Sequence, residues 1–172
     1  MNNTSSTLAL RTDVPATNPF LRRVHEATAA LAAAGLKPPQ RLALLEQRMH
    51  SLVALCELPL AEAEAQAMLA LAQRTNRPAH EAQALCALAL VQTRQERSAQ
   101  ALESATAAEA AAKRVRSAAE REALLALALL RQATAALNLD PPKLRGSPNK
   151  PRAALPLWAT LPTRARRCAC WR

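Results

Sequence analysis

The stretch from Ala82 to Arg114, AQALCALALVQTRQERSAQALESATAAEAAAKR, leaves this chain few ways to fold. Its first part holds an unbroken apolar run from Ala84 through Val91. Its second part carries Ala101, Leu102, Ala105, Ala108 and Ala112, spaced as one face of a helix. Between them Gln95, Glu96 and Arg97 read as a short polar turn. Two helices joined so closely fold back on each other, and so thin a hairpin buries its faces only against neighbours.

Sliding the chain along itself supplies those neighbours. Gln83 to Val91 matches Glu122 to Leu130 at a shift of thirty-nine residues, and Leu60-Ala61-Glu62-Ala63 matches Ser98-Ala99-Gln100-Ala101 at thirty-eight. A two-helix repeat of that length belongs to the range of helical solenoids. The spacing resembles the tetratricopeptide family from about Arg41 to Leu137. Its small or apolar signature positions fall on Leu85, Leu88, Ala89, Ala101, Leu102, Ala105 and Ala108. The chain departs from that pattern in three ways. The large aromatics are missing, Glu96 stands where a turn glycine is common, and the period is longer. The resemblance is strongest to divergent repeats found beside bacterial signalling and regulatory domains. It implies a cytoplasmic protein-binding scaffold, or the sensory part of a larger protein such as a nucleotide cyclase or transcriptional regulator, with partners held on the concave surface.

Composition points the same way. There is no Tyr, one Phe and two Trp, so the core is built from Ala and Leu, and close-packed thin helices replace a deep aromatic core. Two Gly and few β-branched residues argue against a sheet. The expected class is all-α, with antiparallel hairpins stacked as a short tetratricopeptide-like solenoid. Helices are expected near 19–34, 40–57, 59–74, 79–94, 98–114 and 118–137. Asn18-Pro19 is a helix start, Gly35 suits a left-handed stop, and Ser117 to Glu120 has the form of a capping box.

The domain plan is a disordered N-terminus over 1–17, a helical repeat domain over 18–138, and a disordered basic Pro/Arg-rich tail over 139–172. All 13 acidic residues lie at or before Asp140, so the formal charge of +10 belongs mainly to the tail. The proline density after Leu139 forbids a helix long enough to cover helix six. Helix six is therefore expected to stop on an apolar face, as a truncated or frameshifted fragment of a longer solenoid or as a self-associating end. Leu124, Leu125, Leu127, Leu129 and Leu130 are the expected association surface. No stretch reaches the roughly 18 apolar residues of a transmembrane segment, and no secretory signal is visible.

Chemistry finds little support. His25, His50 and His80 fall on different helices, without the spacing of a metal site. Cys56 and Cys86 sit in apolar runs as small hydrophobes, and Cys168 and Cys170 read as exposed thiols. Glu62, Glu64, Glu103 and Glu109 read as solvated surface charge. No catalytic residue, cofactor or metal site is expected, and the chain is not expected to be an enzyme. The competing reading is a stand-alone protein that associates with nucleic acid or an anionic membrane through its tail. Arg164, Arg166 and Arg167, flanked by Trp158 and Trp171, would then grip the polyanion.

Overall fold

The computed structural model describes residues 18–139, and these form six helices with no strand among them. They are α1 (Pro19–Leu31), α2 (Pro38–Ala54), α3 (Leu58–Thr75), α4 (Pro78–Arg94), α5 (Ser98–Lys113) and α6 (Ala118–Leu139). The expected segments 1–17 and 140–172 lie outside the described residues.

Local chemistry sets the boundaries. Asn18 accepts the backbone N–H of Phe20 at 2.9 Å through its side-chain oxygen, and Pro19 occupies the first helical position, where no N–H is needed. Helix α1 ends at Leu31, three residues before the expected stop, and Gly35 lies beyond it with φ +84°. Proline opens α2 at Pro38, earlier than the expected Gln40. Pro59 and Pro78 likewise sit in the first turns of α3 and α4. Asn76 closes α3 in the left-handed conformation, which asparagine tolerates better than most residues.

The helix starts recur every forty residues, not thirty-eight or thirty-nine. Pro38, Pro78 and Ala118 begin α2, α4 and α6, and Leu58 and Ser98 begin α3 and α5. The two helix–helix turns are copies of each other. Cys56 and Glu96 both adopt positive φ, at 60° and 64°. The N–H groups of Glu57 and Arg97 donate back to Leu52 and Gln92 carbonyls, each at 2.9 Å, the closing bond of a Schellman turn. The buried positions of α3 (Ala61, Ala65, Met68, Leu71, Ala72) recur one for one in α5 as Ala101, Ala105, Ala108, Ala111 and Ala112. Helices of Ala and Leu match nearly as well one or two residues out of register. That is why the sequence suggested thirty-eight and thirty-nine.

Each helix packs against its chain neighbours, and α4 also touches α2 and α6. The helices α2, α4 and α6 are thus linked through α4 and form the inner row of the stack. The largest apolar cluster joins α1 to α4 through Val24, Leu42, Met49, Leu52, Met68 and Val91. Beyond α4 the fully buried residues are small, with Ala82, Ala111 and Ala112 in one group and Cys86, Ala108 and Ala128 in another, and leucines of α4 and α6 pack against both. Leu88 is half-buried against the larger cluster; the residues of α4 fully enclosed are smaller, such as Ala84 and Ala89.

Ala105 is fully buried between helices, whereas Ala107 is exposed. Ala105→Leu should push α5 away from its neighbours and cost about 1–3 kcal/mol in urea denaturation. Ala107→Leu should change stability by less than about 0.5 kcal/mol. Equal effects would mean that α5 is not held by close alanine contact.

Candidate functional site

The ionisable residues most open to a chemical role turn out to be engaged in holding helices together. Glu64 on α3 receives both its hydrogen bonds from one nitrogen of Arg48 on α2, at 2.6 and 2.7 Å, and Arg48 also donates to the Thr28 hydroxyl of α1 at 3.2 Å. Glu62 accepts from Arg97 and, at 2.9 Å, from Gln95, so α3 is tied to the α4–α5 turn. Glu46 on α2 accepts from Gln83 on α4 at 2.7 Å. Glu81 on α4 pairs with Arg114 at 2.7 Å, and Glu109 on α5 accepts from Gln132 on α6 at 2.7 Å. The expectation that Glu62, Glu64 and Glu109 are simply solvated is therefore corrected. Glu62 and Glu64 do lie on different faces, and each face meets a different neighbour. Glu103 remains exposed.

These contacts shape the titrations. The Arg97 hydrogen bond holds the Glu62 carboxyl below its ordinary value, and Gln95 helps. Glu109 is held down by Lys113 first and then by Gln132. On the inner row, burial lowers His50, with Glu46 opposing and Arg131 adding to the fall. Arg131 on α6 carries its charge close to Cys86 and Arg94 of α4 as well. Burial lowers His80 in the α4 first turn, with Arg77 assisting and Glu120 opposing.

The histidines stay on separate helices, and no group of three or more His, Cys, Asp or Glu among the described residues is placed to hold a metal. Cys86 is 1% exposed, and burial pushes its thiol up to about 11. Such a thiol is a poor nucleophile at neutral pH. Arg164, Arg166, Arg167, Cys168 and Cys170 lie outside the described residues.

The five leucines expected to form an association surface divide into two groups. Leu124, Leu125 and Leu127 are half-buried and pack on the alanine clusters of α4 and α5. Leu129 and Leu130 are exposed at 54% and 57%. Two leucines the sequence reading passed over, Leu137 and Leu139, continue the exposed set at the end of the helix. Only Ala128 and Ala135 of its 22 residues are fully buried. Helix α6 is also, by length and mean hydropathy alone, apolar enough to cross a membrane, which the apolar-run criterion had not registered. No protein-family model matches this chain, and no curated protein or solved structure matches it.

Two measurements follow from these environments. Glu62 has a depressed folded pKa, so its contribution is present above the ordinary carboxyl value of 4.5 and is lost as pH falls through the lower folded value. Chemical denaturation between pH 6 and 3 should therefore show stability falling with acid, and Glu62→Gln should flatten that fall. An unchanged slope in the variant would remove Glu62 from the account. Cys86 in the folded protein should resist iodoacetamide at pH 8 and react readily in urea, as read by mass spectrometry of its peptide. Rapid labelling of the folded chain would mean that α4, α5 and α6 do not enclose it.

Proposed function

We propose that this chain is a protein-binding helical-repeat module without catalytic activity, a divergent relative of the tetratricopeptide repeats. Its place is as the scaffold or sensory part of a larger bacterial signalling or regulatory protein. The hairpin architecture, the forty-residue period and the inner row of α2, α4 and α6 all support this reading. The observation that carries it is the exposed apolar surface of α6, where Leu130 and Leu137 share one face, Leu129 lies beside them, and Leu139 is exposed further round. Large apolar side chains gathered on one face of a soluble domain mark an association surface. Covering a leucine completely is worth about 1.5–3 kcal/mol, so burying this set would supply a useful part of a dimer's or a partner's binding free energy.

Helix α5 meets its neighbours with a stripe of alanine, which supports a helix with small facing residues as the complement of α6. A second copy of the chain, or a partner helix of that character, meets the requirement.

The expected behaviour is concentration-dependent association through α6. Leu129→Glu with Leu130→Glu should shift the protein toward monomer in sedimentation equilibrium while leaving helical circular dichroism intact. Leu125→Glu should behave differently, lowering the melting temperature, because Leu125 packs against Ala82, Ala111 and Ala112. A wild-type protein that stays monomeric at high micromolar concentration and binds no apolar dye would overturn the α6 reading.

A further inference from the structure

Away from α6, on the opposite end of the stack, a cleft of about 530 Å3 lies between the α1–α2 loop, α2 and α3. Its apolar lining includes Leu36, Leu45 and Leu71, and three arginines stand around it: Arg41, Arg48 and Arg74. No acidic residue lines it. Three arginines, Arg48, Arg97 and Arg114, are paired across helix contacts. Arg41 and Arg74 are not. Neither forms an ion pair or side-chain hydrogen bond among the described residues, and both open onto the same cleft. Arg48 is fixed between them by Glu64 and Thr28, and its Nε–H is buried without a hydrogen-bond partner.

We propose that this cleft binds a small organic anion with an apolar body, free in solution. Its acidic head would sit between Arg41 and Arg74, where two planar guanidinium forks can grip a carboxylate and relieve their mutual repulsion. Its body would lie on Leu45 and Leu71. The volume falls within the range of small-molecule sites, and the combination of apolar lining with a few convergent charged groups is their usual composition. Arg48 is a positioning residue here. Its pairing with Glu64 holds α2 and α3 at the separation that keeps the cleft open, leaving the two unpaired arginines to meet the ligand. The site is independent of the association surface, since α6 makes no part of it.

Isothermal titration calorimetry with decanoate tests this on the full chain. Saturable binding of one decanoate per chain is expected, with no comparable binding of decyltrimethylammonium. Arg41→Gln with Arg74→Gln should weaken decanoate binding about tenfold or more, as loss of charge-assisted hydrogen bonds does. Both side chains are exposed, so helicity should be unchanged. Ala67→Trp, at an exposed position of the lining, should block the cleft without altering its charge. Leu129→Glu with Leu130→Glu should leave decanoate binding as it was. Absence of binding, equal binding of the cationic amphiphile, or full binding by both cleft variants would each overturn the proposal. Binding lost only in the α6 variant would also overturn it, assigning decanoate to the exposed leucines instead.

Discussion

Alanine at the helix contacts is the constraint on which the rest of this structure depends. Ala61, Ala65, Ala101, Ala105, Ala108 and Ala112 are all completely buried, and each sits where a neighbouring helix crosses. A methyl group brings two backbones close without committing side-chain entropy, and many short van der Waals contacts then accumulate. Each such residue buries little area, so no single contact is strong. The fold compensates with length and repetition, six helices in series, and places its few larger core residues, Met49, Met68 and Val91, in the α1–α4 half.

Thin contacts also need orientation, which polar ties between helices provide. Alanine surfaces are nearly featureless, and two such helices slide past each other at little energetic expense. The bonds from Glu46 to Gln83, Glu62 to Arg97, Glu64 to Arg48 and Glu109 to Gln132 each fix one helix against another at a single register. Exposed pairs such as Arg114 with Glu81 add little stability at ordinary ionic strength. Arg48 with Glu64 is better screened from water, and it reaches a third helix through Thr28. Acidic side chains used in this way are engaged in helix contacts rather than left free.

The all-α class and the six helices were legible because proline, asparagine and the apolar period mark starts and faces without reference to anything distant. Pro19, Pro59 and Pro78 sit in the first turns of their helices, as such residues should. The repeat length was legible only approximately. The turns that fix it at forty hold Cys56 and Glu96 in a conformation usually signalled by glycine, so the polar residues 95–97 marked one turn but nothing showed that Cys56 is its equivalent. The exposed half of α6 was anticipated, but not which leucines compose it. Leu125 and Leu129 are four residues apart and nominally on one face, yet Leu125 reaches the α4–α5 alanines while Leu129 points past them. The cleft with Arg41 and Arg74 was not legible. Its residues are thirty-three apart and converge only through the α2–α3 hairpin.

A stack of this kind is close to one-dimensional, and that has a consequence for how its two ends communicate. Helix α4 touches α2, α3, α5 and α6, so it is the most constrained element, whereas α6 buries two residues fully and ends the described stack. Stability in such an array is a sum of local and nearest-neighbour contributions, and opening starts where neighbours are fewest. Covering α6 therefore stabilises α5 and α4 directly, and α2 and α3 mainly through α4. The cleft beside Arg41 is built entirely by the far hairpin and its preceding loop, with its own ion pair and the larger apolar cluster beneath it. The two ends are joined through α4, with the charge of Arg131 on α6 also felt at His50 of α2. The two surfaces share no residue: one is built by α6, the other by α2, α3 and the loop before α2.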